Sequence, residues 1–523
     1  MTLSVDAPRL ALTVALGVCA LFPAGYLLAT ALPVLQQGGW LAHFASTTLP
    51  WQAANSLQVA LLAAAVAFAA GALPAVLVSR FDFAGRRLVS LLALLPLLFA
   101  PHVTASTWMV WSSSDFFTSQ YALAMHLGLA CAPYLFVVFR VAASRMPRAF
   151  AELAASFGMG WRQRLLRVHL PAYAVPVAAG LLIVFAQCLG DYAAAERLGV
   201  PTLSLGIHSL WFASQSSVVA AIGASVLVLP TLVLVGVAAW ASTALISQNP
   251  VPPAAAAASL RALRGPAAWA VLGWSLLWAV PGFAIPQVIT VRWAEKRWSR
   301  TRFEDIPGDM LGSLLTAMGS VLLVLAVCLL VAAVMRAGSR RSWADRWSER
   351  MPWLFLANYF LPTLVLALAF VMMSRDGSNL AHWLGAWRDT AVLVVLAVAL
   401  RLMPFALLPL LDALRRTPAQ LIEAALVHGA GPLKARALAF AGHLRPALFL
   451  GCALVFMEAV KEVDLNLTLQ PFDHPSLALK IYAFSRHQNM DRAAVWVLLS
   501  QLLMLLPLAL LWWRMDRLDG RRR

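Results

Sequence analysis

Charged residues are scarce in this chain. Only 12% of its 523 residues are Asp, Glu, Lys or Arg, whereas 61% are hydrophobic. Soluble domains carry about 25% charged and about 45–50% apolar residues. An apolar excess of this size leaves too few polar side chains to cover a surface in water. The composition therefore excludes an ordinary soluble protein and predicts one that lies in a bilayer.

Lysine is rarer still, with four in the whole chain, and none follows a Gly-x-x-x-x-Gly-Lys-Ser/Thr phosphate loop. We therefore expect a chain that binds no cofactor and is not an enzyme with a nucleotide-binding site of its own. The five cysteines fall inside apolar runs, which indicates packing residues and neither a disulfide framework nor a metal site. The net charge of +17 comes from basic residues in short loops, a distribution typical of membrane topology and not of nucleic-acid binding.

Twelve apolar runs are long enough to cross a bilayer as helices. A spanning helix needs about 20 apolar residues to cover about 30 Å of hydrocarbon. The first run begins after Arg9 and is too long for a typical signal-peptide core, so we expect an uncleaved span. The predicted spans are 9–33, 55–79, 88–111, 121–143, 172–190, 218–243, 267–290, 311–335, 351–374, 390–413, 446–468 and 493–513.

A linker separates these spans into two groups of six. Residues 246–266 contain four prolines and a run of alanines, a composition typical of a linker. We predict a first half over residues 1–245 and a second half over residues 267–523. The Ala- and Gly-rich stretch 63–75 in the first half indicates close helix packing.

Basic residues predict which way the chain crosses the membrane. With both termini in the cytoplasm, the cytoplasmic loops hold 27 of the 40 Lys and Arg residues and the outer loops hold 11. This excess predicts cytoplasmic termini, because Lys and Arg concentrate on the inner side. One outer loop, 291–310, opposes the trend with five basic residues.

An internal repeat with an offset of 271 residues relates the two halves. The residues that match at this spacing are Pro133 with Pro404, Arg145 with Arg416, Pro147 with Pro418, Glu152 with Glu423, Ala154 with Ala425, Gly158 with Gly429, Phe185 with Phe456, and Asp191 with Glu462. Agreement of so many residues without a gap indicates a duplicated sequence. The repeated segment follows the fourth span of each half, on the predicted cytoplasmic side.

Each copy of this segment predicts a short helix that ends in a sharp turn. A proline opens the helix, and the Glu lies in its first turns, where the helix dipole favours negative charge. The Gly then allows a left-handed turn that stops the helix. We call residues 144–171 and 415–446 the helix-turn units. Such a unit suits docking in a partner's groove, although an amphipathic helix lying on lipid headgroups is the alternative.

The helix-turn units resemble the EAA loop of permeases from binding-protein-dependent ABC importers. The matching residues are Glu152, Ala154, Gly158, Leu170 and Pro171 in the first unit, and Glu423, Ala424, Ala425 and Gly429 in the second. The sequence departs from the motif at Leu153, which replaces an Ala, and at Gly442, which replaces the second unit's Pro. The resemblance covers both halves. It implies a type I importer permease fold, with twelve helices in a fused double permease.

The resemblance also implies a cargo class and partners. The chain is similar to permeases of ferric-iron, thiamine and phosphonate importers, and residues 189–211 look most like the ferric-iron group. A cytoplasmic ABC ATPase dimer is then expected to bind both helix-turn units, and a periplasmic binding protein is expected to deliver the cargo. The implied location is the bacterial inner membrane. Ferric iron is the cargo that the sequence favours.

Charges inside or beside the spans are candidates for the transport path. The candidates are Asp191, Glu458, Lys461 and Glu462. Buried charges cost about 2.5–3.5 kcal/mol each on insertion scales, so they often serve a function. Asp191 and Glu462 are repeat mates, and a pseudo-two-fold axis would place them on facing helices. The alternatives are solvated carboxylates at a span end, or pairing within one helix. Arg401, inside span ten, is either a charge at the span edge or a partner of one of these acids.

Two other function classes compete with the importer. An ion-coupled secondary transporter also uses internal repeats, but it predicts broken helices at mid-membrane and no docking loops. A membrane enzyme predicts a cluster of polar side chains on one helix, and only Glu458 and Glu462 come close to that pattern.

Overall fold

The computed structural model describes residues 3–36, 45–112, 114–145, 154, 156–169, 171, 173–214, 260–336, 351–374, 385–388, 390–416, 419–469, 471 and 474–520. Seven helices in these ranges are long and apolar enough to cross a membrane, and the number rises to nine when each of two bent helix pairs counts as one span. The predicted all-α, multi-pass membrane architecture is confirmed. Twelve spans are not all present in these ranges, and the predicted sixth span, 218–243, lies outside them.

The chain forms two compact units, and each takes helices from both halves of the sequence. The first-half unit combines the described parts of 45–206 with 260–301 and 481–520. The second-half unit combines 3–36 and 207–214 with the described parts of 302–480. The N-terminal helix belongs to the second-half unit, and the last helix belongs to the first-half unit. The compact units therefore do not coincide with the two predicted halves of the sequence, and that division stays a prediction.

The first-half unit is helical apart from a two-residue parallel strand pair, Phe81–Asp82 with Arg261–Ala262, in its described part. This pair joins two segments that the sequence places on the cytoplasmic side. The α-helices that begin in this unit are Leu49–Ala67, Leu73–Arg80, Arg86–Leu94, Pro101–Trp111, Gln120–Arg145, Trp161–Arg164, Ala174–Gly190, Ala193–Leu198, Leu203–Ser214, Pro266–Ala279, Ile285–Arg297 and Met490–Gly520. Wider π turns at Phe68–Ala72, Leu165–His169 and Val280–Ala284, and 3₁₀ turns at Leu95–Leu98, Asp115–Thr118 and Trp298–Arg300, connect several of them.

The second-half unit begins with the N-terminal helix of the chain. The amide of buried Asn358 donates to the carbonyl of Ala20 at 2.7 Å, which fixes this helix to residues of the second half. The α-helices of the unit are Leu3–Gln36, Ile306–Arg336, Leu356–Phe360, Thr363–Met373, Ala391–Arg416, Ala419–Val427, Pro432–Lys461, Asp464–Leu469 and the start of Leu477–Arg486, with 3₁₀ turns at Phe303–Asp305 and Met351–Phe355.

Two predicted spans are not straight helices, which corrects their assignment. Residues 88–111 bend by 90° before Pro101, and residues 351–374 bend by 100° at Pro362. Proline has no N–H to donate and holds the preceding residue extended, so it starts a new helix more readily than it continues one. The residue before each proline has this extended backbone, with ψ of 146° and 130°. The third predicted span of each half is therefore broken near a proline.

Small residues bring the long helices into close contact, as the alanine-rich stretch predicts. A Cβ on Gly71 would lie 2.0 Å from the carbonyl oxygen of Ala132, so only glycine fits there. In the second-half unit, a Cβ on Gly451 would lie 2.3 Å from the Cα of Ala406. Close backbone approach is the usual means of helix association in a bilayer, where dispersion contacts replace the hydrophobic effect.

In both units a serine hydroxyl binds the segment that follows the fifth predicted span of the corresponding sequence half. Ser56 accepts a hydrogen bond from the N–H of Leu203 at 2.8 Å, and Ser313 accepts one from Leu477 at 2.8 Å. Both leucines follow a proline by two residues, but their spacing is 274 and not 271. The repeat therefore continues past the point where the sequence offset is constant.

The basic segment 291–310, predicted to be an outer loop, forms one ion pair within the first-half unit. Arg297 pairs with Asp491, at the start of the last helix. This contact compensates one of the five basic residues that oppose the topology rule.

Candidate coupling loops and pathway residues

The first helix-turn unit ends its helix with a left-handed glycine. Gly158 has φ of +73°, a conformation that residues with a Cβ rarely adopt. The N–H of Met159 donates to the carbonyl of Ala154, five residues back, at an N···O distance of 3.1 Å. This bond is typical of a Schellman helix end. Ala154 is buried, and Glu152 lies outside the described residues.

The second helix-turn unit has the same helix end. Gly429 has φ of +80°, and the N–H of Ala430 donates to the carbonyl of Ala425 at 3.0 Å. This bond recurs at the repeat spacing of 271 residues. Glu423 and Ala424 are exposed, and Ala425 is partly exposed, so the helix Ala419–Val427 is open to solvent or to a partner. The turn geometry predicted for both copies is present.

The two units differ after the turn. In the first unit, helix Trp161–Arg164 and a wider π turn end at His169, and the next helix begins at Ala174. In the second unit, one helix runs without a break from Pro432 to Lys461. The first unit has Leu170-Pro171 at this point, whereas the second lacks a proline there. The helix of the second unit also runs through Pro446, so the missing Leu-Pro accompanies the difference between the units but does not by itself cause it.

Each turn presents a large apolar side chain to the outside. Phe157 is 75% exposed and Val427 is 84% exposed, and each lies within two residues of the left-handed glycine. An exposed apolar side chain at a rigid turn suits burial against another surface. Docking of these units stays a prediction, and their geometry is compatible with it.

Asp191 and Glu462, the repeat mates, act as helix caps. Each residue follows the end of a long helix and precedes a short one, Ala193–Leu198 or Asp464–Leu469. The N–H three residues later donates to the Asp191 carboxylate at 2.8 Å and to the Glu462 carboxylate at 3.3 Å. A side-chain oxygen that accepts from the first turn stabilises a helix start. The two acids thus share a structural role, and a place on the transport path stays a prediction.

Buried charges of the second-half unit form two ion pairs. Arg401 pairs with Glu462, and Lys461 pairs with Glu458 three residues earlier. All four side chains are about nine-tenths buried or more. Pairing offsets the cost of removing charges from water. The structure therefore makes Arg401 a partner of one of the predicted acids and brings three of the four pathway candidates together, whereas Asp191 belongs to the first-half unit.

The first-half unit contains a polar network that the sequence analysis missed. The Glu196 carboxylate accepts hydrogen bonds from Tyr192, at 2.9 Å, and from Tyr482, and the guanidinium of Arg486 lies 3.5 Å away. Burial raises the pKa of both tyrosines, and the Glu196 carboxylate raises each further, so both stay protonated donors. The sequence did contain a signal for this network. Besides Asp191, Glu196 and Arg197 are the only Asp, Glu, Lys or Arg residues between 191 and 217, so they stand out in an otherwise uncharged segment.

Metal-binding side chains do not gather in the part of the chain that the structure describes. No group of three or more His, Cys, Asp or Glu residues there is placed to hold a metal ion.

Comparisons with known proteins agree with the repeat. A family model described as "Binding-protein-dependent transport system inner membrane component" matches the chain twice, over residues 63–246 and again over 329–523. The chain is also similar to a protein of Haloferax volcanii described as a probable molybdenum ABC transporter permease. The two are 27% identical over 198 residues, which cover 36% of this chain and 71% of that relative.

Proposed function

Because this chain belongs to the family of binding-protein-dependent transport system inner membrane components, we propose that it forms the whole membrane pathway of an ATP-driven importer. It moves a small inorganic ion from the periplasm to the cytoplasm by alternating access. A separate ATPase dimer supplies the energy, and a periplasmic binding protein delivers the ion. Both termini then face the cytoplasm of a bacterial cell, and the chain lies in its inner membrane.

The recurrence of the helix-turn unit carries this proposal. Gly158 and Gly429 have the same left-handed backbone. In each unit the N–H of the residue after the glycine donates to the carbonyl five residues earlier, which ends the helix. A motor with two equal subunits needs two equal docking points, and one chain with two copies of a rigid turn provides them. The exposed Phe157 and Val427 beside the glycines offer apolar area for that contact.

The proposed cargo, a small inorganic ion, is a broader class than the ferric iron that the sequence motifs alone favour. Residues 189–211 resemble the ferric-iron group, and thiamine and phosphonate permeases share the double architecture. The comparisons do not support ferric iron, since the relative that they identify is described as a molybdenum permease. An inorganic ion is the class common to the ferric-iron prediction and this relative.

An ion-coupled secondary transporter is the alternative from another class. It predicts broken helices at mid-membrane, and the bends before Pro101 and at Pro362 fit that pattern. It does not predict paired docking turns, and the family match covers both halves. These two observations favour an external motor.

Transport by the purified components tests the proposal. We expect proteoliposomes that hold this chain and its cognate ATPase to take up an inorganic ion only when ATP is present on the ATPase side. The binding protein is supplied on the opposite side, with molybdate or ferric iron as the cargo. Vesicles without the ATPase are the control. Uptake by this chain alone, driven by a proton or sodium gradient, would contradict the proposal.

A further inference from the structure

Arg197 is a partly buried cation that has no carboxylate partner among the residues the structure describes. Its Nε donates to the hydroxyl of Ser106 at 2.9 Å. The neighbouring Glu196 does not neutralise it, because that carboxylate already binds Tyr192, Tyr482 and Arg486. Two other arginines, Arg297 and Arg401, pair with carboxylates.

The serine beside Arg197 orients the guanidinium without compensating its charge. Ser106 is fully buried, and its hydroxyl donates to the carbonyl of His102 at 2.7 Å. A second buried hydroxyl, that of Ser485, lies 2.8 Å from it. With its single proton used, Ser106 accepts from Arg197 and holds Nε in place. The two terminal nitrogens of the guanidinium have no acceptor within the described ranges. They are therefore available to donate two parallel hydrogen bonds to a ligand.

A second polar group on the same helix lacks a partner. His102 lies one helical turn before Ser106, on the same face, and it is almost completely buried with its ring against Tyr482. Its Nε2 has no hydrogen-bond partner in the described part of the chain. Buried polar atoms are nearly always satisfied by a hydrogen-bond partner. The Nε2 atom of His102 and the uncompensated charge of Arg197 are therefore both suited to contact with a polar ligand.

The chemistry of these groups selects an anion. Burial lowers the pKa of Arg197, which shows that its surroundings disfavour the positive charge. A cation ligand would add to this cost, whereas an oxyanion would offset it and would accept two parallel bonds from the guanidinium. Molybdenum in oxygenated water is a tetrahedral dianion, with the same shape and charge as sulfate.

We infer that Arg197, oriented by Ser106 and accompanied by His102, is a contact for a tetrahedral oxyanion cargo on its way through the first-half unit. This inference rests on the proposed importer function and narrows its cargo from inorganic ions to divalent oxyanions. The repeat mate of Arg197 is Thr468, so the contact belongs to one unit of the pair.

Molybdate uptake by the reconstituted importer tests the contact. We expect Arg197→Gln to lower uptake about tenfold or more, the effect of losing one charge-assisted contact. Arg197→Lys, which keeps the charge, should recover a large part of the activity. Arg492→Gln is the matched control, because Arg492 is an exposed arginine of the same unit. ATP hydrolysis stimulated by the binding protein should persist in all three variants.

A chemical measurement on the unmodified protein covers the case in which Arg197→Gln fails to fold. Millimolar molybdate or sulfate should slow modification of Arg197 by an arginine-specific dicarbonyl reagent, as read by mass spectrometry, and leave Arg492 unaffected. Chloride at equal ionic strength should protect neither residue. Equal modification of Arg197 with and without oxyanion would overturn the inference.

The outcomes separate the inference from the importer function. No ATP-dependent uptake by the unmodified importer would count against the function itself. Normal uptake by Arg197→Gln, equal to that of Arg492→Gln, would overturn only the oxyanion contact. Uptake of ferric iron in place of molybdate would also overturn it, since a cation has no favourable contact with Arg197.

Discussion

Valine in place of the left-handed glycines should separate ATPase docking from folding. A residue with a Cβ pays about 1–2 kcal/mol to hold the left-handed conformation. A Cβ built on Gly158 or Gly429 meets nothing within 4 Å among the residues that the structure describes, so the substitution strains the turn without a clash there. The strained turn opens, and docking must then close it again. At about 1.4 kcal/mol per tenfold change, each substitution weakens ATPase binding about 5- to 30-fold.

The double variant Gly158→Val with Gly429→Val should lose about 2–4 kcal/mol of binding energy, because the two turns lie in separate copies and their effects add. The assay is co-purification of the cognate ATPase over a range of ATPase concentrations, with membrane insertion measured in parallel. Gly85→Val is the control, since Gly85 has φ of +87° in a predicted cytoplasmic loop that belongs to neither helix-turn unit. Unchanged ATPase binding by the double variant, at normal insertion, would refute docking through these turns.

Substitutions at two further sites examine the charged side chains. Arg401→Met leaves the Glu462 carboxylate buried without its partner, so we expect about 3–5 kcal/mol of destabilisation, and Arg401→Met with Glu462→Gln should recover much of it in a thermal unfolding assay in detergent. A single variant as stable as the double variant would contradict the buried pair. Asp191→Asn keeps a capping oxygen and should transport normally, whereas Asp191→Ala should cost about 1 kcal/mol. Lost uptake in a stable Asp191→Asn variant would instead show that the charge itself acts on the path.

The turns of the two helix-turn units were predictable from the sequence because their signals are local. The left-handed glycine and the helix that it ends are set by neighbouring residues, and the two copies differ by a constant offset. The structure places Gly158 and Gly429 in the same conformation, as the repeat requires. The difference between the units also coincides with a local feature of the sequence, since the unbroken helix from Pro432 to Lys461 occurs in the copy that lacks Leu-Pro.

The broken spans were missed because hydropathy measures composition and not direction. Both parts of residues 88–111 are apolar, and so are both parts of residues 351–374, so each pair passes for one span. The proline at each bend was visible, but proline alone does not decide the matter. Pro133 and Pro404 lie inside helices that continue through them. The neighbouring helices decide which prolines bend a span, and the sequence does not show them.

The partners of charged residues were the least predictable feature, and they decide which charges are free to act. Glu462 attracted attention as a charge near a span, yet Arg401 compensates it from 61 residues away, and it caps a helix as well. Glu196 is occupied by Tyr482, 286 residues distant. A sequence shows that a charge has entered an apolar region, but only the fold shows whether another group has compensated it. By that criterion the acids that the sequence favours for the path are largely committed to structure. Arg197, which the sequence did not favour, is the better candidate to meet the cargo.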